Sequence, residues 1–188
     1  MNRMHGVICS SSWWGHKVES ELLPWSLSKL ELGDEVLEIG PGFGATTKVL
    51  AKRPGALTVL ELEPHYCERL RSELPSDVTV VQGDATDMPF ADGRFSAVVC
   101  FTMLHHLPSP QAQDRLMAQA ARVLRPGGVF AGTDSLGTGL LFRLLHVGDT
   151  LVPVGPDGLP QRLEQAGLAE LQIRRGGRSF SFRARKPA

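Results

Sequence analysis

Residues 36–44 read VLEIGPGFG: an apolar run carrying one carboxylate, Glu38, passes into Gly40, Gly42 and Gly44, spaced two apart. The pattern predicts a short buried strand followed by a tight turn. Glycines there let the backbone bend sharply and approach a ligand, with amides and the start of the next helix turned towards it. Read as Gly40-x-Gly42-x-x-Ala45, the same letters also fit a dinucleotide fingerprint, so the turn by itself leaves the ligand open.

Working outward, apolar runs and helical patterns alternate. Strands are predicted at 35–39, 57–61, 78–81, 95–101 and 129–134, and helices at 45–51, 64–74 and 111–124. FSAVVCF (95–101) is almost wholly apolar, as a strand buried on both faces of a parallel sheet requires. Pro126-Gly127-Gly128 ends one helix before the fifth strand. Upstream, the serines at 10–12 can cap a helix running to about residue 23, where Pro24 stops it; Trp14, Val18 and Leu22 mark its buried face. Downstream, 159–166 reads as a helix, and the alternating runs 171–175 and 179–183 around Gly176-Gly177 read as a β-hairpin.

The expected architecture is therefore α/β: a Rossmann-like, doubly wound, mostly parallel seven-stranded sheet with a C-terminal antiparallel hairpin and helices on both faces. A single domain is expected over 1–188. Its parts would be an N-terminal helical arm or lid (1–33), a cofactor-binding core (34–134), a substrate-side segment (135–155) and a final helix with the hairpin (156–188).

Composition narrows the classes. Twenty Lys plus Arg balance twenty Asp plus Glu, so no general attraction to nucleic acid or anionic lipid is expected. Three cysteines, Cys9, Cys67 and Cys100, have no metal-like spacing and read as buried reduced thiols. No run approaches a membrane span, and the first residues lack the apolar core of a signal peptide. A cytoplasmic protein is expected.

In an open parallel sheet, ligands bind beyond the carboxyl ends of the strands. Glu61 ends the second strand, 61 − 42 = 19 residues after the middle glycine, where an acid can accept from ribose hydroxyls. Asp84 follows the third strand in QGDAT, where it can accept from an exocyclic adenine amine or merely hold a turn.

Taken in order, VLEIGPGFG, LELEP, VQGDATDMPF, FSAVVCFTMLHHL and ARVLRPGGVFAGTDS resemble a class I S-adenosylmethionine-dependent methyltransferase of the small-molecule type, similar to the quinone-biosynthesis group. The likeness is close over 34–134. It implies methyl transfer from S-adenosylmethionine, with S-adenosylhomocysteine as product. It implies that Glu38 and the Gly40-Pro41-Gly42 turn hold the aminoacyl portion, Glu61 the ribose, Leu62 an adenine face, and Asp84 with the Ala85 amide the adenine edge. Phe101 would present its backbone carbonyl to the cofactor's amine. An ammonium and a sulfonium tolerate a carboxylate at Glu38, whereas a pyrophosphate is repelled by one.

Methyl transfer needs in-line positioning and, for a hydroxyl acceptor, a base. His105 is the candidate base; His106, Asp134 and His146 are placed on the substrate side. Adjacent histidines on an extended chain point in opposite directions, so only one of the pair is expected to face the acceptor. A metal held by His105, His106 and Asp134 is disfavoured because acids are too few, and no metal is expected. Trp13 and Trp14 on the N-terminal helix and the apolar segment 136–154 would line a pocket for a small, partly apolar acceptor. The rivals are an RNA or DNA methyltransferase, a nicotinamide-dependent oxidoreductase and a silent cofactor-binding module. The arginines of the last hairpin favour nucleic acid, but FTMLHH (101–106) stands where base-amine methyltransferases carry Asn/Asp-Pro-Pro-Tyr or Asn-Leu-Pro-Tyr.

Overall fold

The computed structural model describes residues 6, 10–137, 142 and 147–188. Seven strands form one sheet: β1 (Glu35–Ile39), β2 (Ala56–Glu61), β3 (Thr79–Gln82), β4 (Phe95–Phe101), β5 (Leu124–Ser135), β6 (Ala169–Gly176) and β7 (Ser179–Arg185). Their order is β3-β2-β1-β4-β5-β7-β6, with β1 to β5 parallel and β7 antiparallel to both its neighbours. The helices are α1 (Ser12–Lys17), α2 (Leu23–Leu27), α3 (Ala45–Leu50), α4 (Pro64–Glu73), α5 (Pro110–Val123) and α6 (Leu159–Gln165). The expected seven-stranded, doubly wound sheet is present.

Strand alternation divides the core in two. Leu37 and Ile39 of β1 join Val98, Cys100 and Phe130 in one cluster, closed by residues of α5, α6 and the hairpin. Val36 joins Val59, Ala97 and Val99 on the other face, under Leu50 of α3 and Leu70 of α4. Phe95, Phe130, Phe180 and Phe182 are fully buried, each stabilising the fold by about 2 kcal/mol relative to exposure. Every residue of β4 is buried, as its almost wholly apolar run requires. Cys67 and Cys100 are buried free thiols; Cys9 lies outside the described residues.

Two boundaries differ from expectation. The N-terminal helix, capped by the Ser11 side chain, does not stop at Pro24. A π-turn at Val18–Leu22 lets Leu23 N–H donate to Val18 O and opens space where a proline ring would otherwise meet the preceding carbonyl. The chain then continues as α2. In β5, pairing already begins at Leu124, and Pro126-Gly127-Gly128 is a bulge inside the strand; Gly127 N–H and Gly128 O bond Lys186 at the end of β7.

From β1 the chain builds outward to β2 and β3, then returns to place β4 on the other side of β1. The strand order reverses between β1 and β4, and the crevice above their carboxyl ends is where a ligand fits.

Candidate active site

A cavity of about 730 Å³ occupies that crevice. Its first wall is the glycine turn. Gly40 N–H donates to Leu60 O at 2.8 Å, which extends the β1–β2 ladder by one bond, and the chain then enters the left-handed region at Gly40 (φ +62°) and Gly42 (φ +54°). A Cβ on Gly42 would meet nothing within 4 Å, so this part of the turn faces open space.

Glu61 ties the turn to β2. Its Oε2 accepts from Gly42 N–H at 3.0 Å, and its Oε1 accepts from Leu62 N–H at 2.9 Å and Glu63 N–H at 3.1 Å. The side chain lines the cavity while only 6 % exposed. Three backbone donors therefore hold one carboxylate at a fixed place, and a carboxylate has about four acceptor sites. Leu62 beside it is 58 % exposed and also lines the cavity, an apolar surface left open to a planar group.

Asp84 and Ala85 lie across the cavity, after β3. Asp84 Oδ1 accepts from Thr86 N–H at 2.7 Å, so the acid serves its own turn and lines the cavity at once. Phe101 lines the cavity at the end of β4, and its carbonyl accepts from the Thr102 hydroxyl at 2.8 Å. Thr102 has φ +51°, a strained conformation for a β-branched residue, at the mouth of the site.

Glu38 is elsewhere than expected. The strand alternation that carries Val36 towards α3 carries Glu38 there too; it is 1 % exposed, absent from the cavity lining, and accepts from the Thr46 hydroxyl. Among the described residues, its buried Oε2 has no hydrogen-bond partner. Burial pushes its pKa up to about 7, the Thr46 and Thr47 hydroxyls opposing the shift and the charge of Glu61 adding to it. Glu38 thus supports the glycine turn from beneath, and at neutral pH it carries only part of a charge, which weakens the repulsion argument against a pyrophosphate.

At the other end, Leu104–His106 form one 3₁₀ turn. Asp134 Oδ2 accepts from the His105 backbone N–H at 3.1 Å, Asp134 Oδ1 stands 2.5 Å from His105 Nδ1, and Ser135 N–H adds a bond to Oδ1 at 2.6 Å. Asp134 is fully buried behind His105 rather than lining the cavity, which corrects its placement on the substrate side. His105 is 3 % exposed yet borders the cavity. His106 borders it as well, because the turn is not extended; the two rings lie 4.2 Å apart, contrary to the expectation that only one would face the site. Among the described residues, no group of three His, Cys, Asp or Glu could hold a metal ion.

Trp14 lines the cavity, bringing the N-terminal helix over the site. Trp13 does not: it is 63 % exposed, with the Lys17 ammonium 5.7 Å from its ring. His146 lies outside the described residues. Sequence reasoning missed Met103, Ser135, Arg178 and Ser179, all of which line the cavity, whereas Phe142 and Thr150, which also line it, fall within the 136–154 segment expected to do so. Arg178 alone carried a signal, as the residue next to the Gly176-Gly177 pair of the hairpin turn.

Residues 37–132 match the family model described as a methyltransferase domain. A fatty-acid O-methyltransferase of Mycolicibacterium smegmatis is 39% identical over 108 residues, covering 55% of this chain and 38% of the relative. A 2-methyl-6-phytyl-1,4-hydroquinone methyltransferase of Oryza sativa is 36% identical over 126 residues, covering 65% of this chain and 35% of the relative. The chain thus spans little more than a third of the length of these two relatives. A SAM-dependent methyltransferase of Thermotoga maritima superimposes with a TM-score of 0.74 at 18% identity, covering 93% of this chain and 92% of its own, which shows the shared fold. The family match over more than half of the chain, centred on the glycine turn, β2 and β4, makes the conclusion plain: the chain belongs to the methyltransferase-domain family.

Proposed function

We propose that the protein transfers a methyl group from S-adenosylmethionine, by in-line displacement, to a small, partly apolar acceptor. The observation that carries this reading is the Glu61 carboxylate, bonded to Gly42 N–H between the ends of β1 and β2 and bordering the cavity. With three of its acceptor sites used by amides, one remains for a ribose hydroxyl. Asp84 would accept from the adenine amine, the Ala85 N–H would donate to the ring, and Leu62 would cover one ring face. Amides of the Gly40-Pro41-Gly42 turn would hold the aminoacyl end, with Phe101 nearby and Glu38 acting through the turn it supports. When bound, the cofactor supplies a methyl group already activated on a sulfonium.

The protein's own contribution is placement and one proton. With Asp134 Oδ1 as the acceptor beside His105 Nδ1, the ring would keep its proton on Nδ1 and present Nε2 to a hydroxyl acceptor. Trp14, Met103 and Phe142 give the acceptor end an apolar lining that excludes water. Relatives whose names give a fatty acid and a phytyl hydroquinone as acceptors agree with such a lining. The absence of the base-stacking motif at 101–106 argues against a nucleic-acid acceptor. Among the described residues no helix is long and apolar enough to cross a membrane, and the unpaired thiols Cys67 and Cys100 support a cytoplasmic setting.

Titration calorimetry tests the cofactor: S-adenosylhomocysteine is expected to bind, and tight NADH binding with none of S-adenosylhomocysteine would overturn the reading. His105→Ala is expected to lower turnover about 100-fold with unchanged S-adenosylhomocysteine affinity. Full turnover removes His105 as the base.

A further inference from the structure

The hairpin and the tail after it carry six basic residues, Arg174, Arg175, Arg178, Arg183, Arg185 and Lys186. Five are used within the molecule. Arg174 donates to Trp25 O and Arg175 pairs with Asp157; Arg183 Nε donates to Gln172 Oε1 at 2.8 Å, Arg185 to Gly127 O at 2.9 Å, and Lys186 to Leu124 O at 2.7 Å. Arg178 is the exception: only its backbone carbonyl is bonded, to Leu136 N–H at 2.9 Å, and its guanidinium has no hydrogen bond or ion pair among the described residues. It is also the one member of the six that lines the cavity. Asp149, a carboxylate that also lines the cavity, has an interaction of its own and is not paired with Arg178.

Position decides what this cation can meet. Ser179 pairs with Ser135 across the β7–β5 ladder, next to Asp134 and its hydrogen bond to His105. In the sheet order, β7 stands five strand spacings from β3, so Arg178 lies roughly 24 Å along the sheet from the Asp84 end. It therefore faces the acceptor end, where Trp14, Met103 and Phe142 are apolar. A guanidinium is a planar fork of donors that matches an oxyanion and is never neutral at working pH.

We propose that Arg178 selects a methyl acceptor with an apolar body and an oxyanion, a carboxylate or a phosphate, which the guanidinium binds while the apolar body fills the cavity. The proposal rests on the methyltransferase reading above and narrows it to anionic, amphipathic acceptors.

Calorimetry with octanoate, octyl phosphate and the neutral octanamide tests it on the full chain. The S-adenosylhomocysteine titration is read first and judges the cofactor reading alone. The oxyanion preference is then read against octanamide whatever that result. Octanoate or octyl phosphate is expected to bind about tenfold or more tightly than octanamide, the lower end of what a charge-assisted hydrogen bond contributes, and the tighter of the two identifies the anion. Arg178→Gln is expected to shrink the preference to about twofold or less, Arg178→Lys to keep part of it, and both to leave Tm and S-adenosylhomocysteine affinity unchanged. Equal binding of charged and neutral probes, no saturable binding of either oxyanion, or a preference that survives Arg178→Gln overturns the proposal.

Discussion

The two ends of the cavity are built in opposite ways. The end bearing Glu61 is finished before any ligand arrives: a single carboxylate is held by three amides, all within or next to the turns that follow β1 and β2. The end bearing His105 is assembled, among the described residues, from five separate stretches, namely the N-terminal helix, the turn after β4, the end of β5, the stretch holding Phe142 and Thr150, and the hairpin. Local assembly makes a rigid and general site, since each donor is fixed by strand geometry. Distant assembly lets acceptor recognition change without disturbing the sheet, because Trp14, Met103, His106, Phe142 and Arg178 all lie outside the strands. The comparison can be broken at three places.

The largest effect is expected beneath the rigid end. Burial raises the Glu38 pKa from 4.5 to about 7, so the folded state holds a proton over this window that the unfolded chain has lost. Its stability contribution is therefore complete below pH 4.5 and is lost as pH rises through about 7, a swing of about 3 kcal/mol at most. Glu38→Gln is expected to flatten the urea-denaturation stability between pH 5 and 8. An unchanged pH slope would mean that Glu38 is not the group that makes this region sensitive to pH.

Next comes the keystone of that end. Glu61→Ala leaves the N–H groups of Gly42, Leu62 and Glu63 without their acceptor and removes the carboxylate from the cavity. S-adenosylhomocysteine affinity is expected to fall about 50-fold, with Glu61→Gln falling less because one acceptor oxygen remains. Unchanged affinity in both variants would show that the rigid end is structural only.

What the sequence allowed to be read follows the same division. The nearness of Glu61 to the glycine turn was legible as a spacing because β1 and β2 are adjacent parallel strands whose register converts sequence distance into proximity, although the bond from Gly42 N–H was not foreseen. β4 was legible because all seven of its residues are buried and six of them, all but Ser96, are apolar. Glu38 was misplaced because the expectation tracked its nearness to the turn and ignored the period of two that sends its side chain under α3. Pro24 was misread as a stop because a π-turn five residues long has no residue signature. Asp134 and Arg178 were visible as letters, but their roles depend on a contact with His105, 29 residues from Asp134, and on a guanidinium that has no hydrogen bond or ion pair among the described residues. Neither relation leaves a local pattern.

The smallest effect is also the one that joins the two ends. A Cβ on Gly40 would stand 2.5 Å from Met103 Cγ, so this glycine is where the rigid turn touches the residue following Thr102 at the acceptor end. Its φ of +62° adds strain for any other residue. Gly40→Ala is expected to cost about 1.5 kcal/mol in chemical denaturation, part from the backbone and part from displacing Met103. Adding Met103→Ala should recover the second part on top of that variant's own loss, which a double-mutant cycle isolates. Gly42→Ala, whose Cβ meets nothing, is expected to cost only the backbone part, about 1 kcal/mol, and to weaken S-adenosylhomocysteine by placing a methyl group at the open side of the turn. If the cycle shows no coupling between Gly40 and Met103, the two ends are mechanically independent, and acceptor selection cannot be transmitted to the cofactor through this contact.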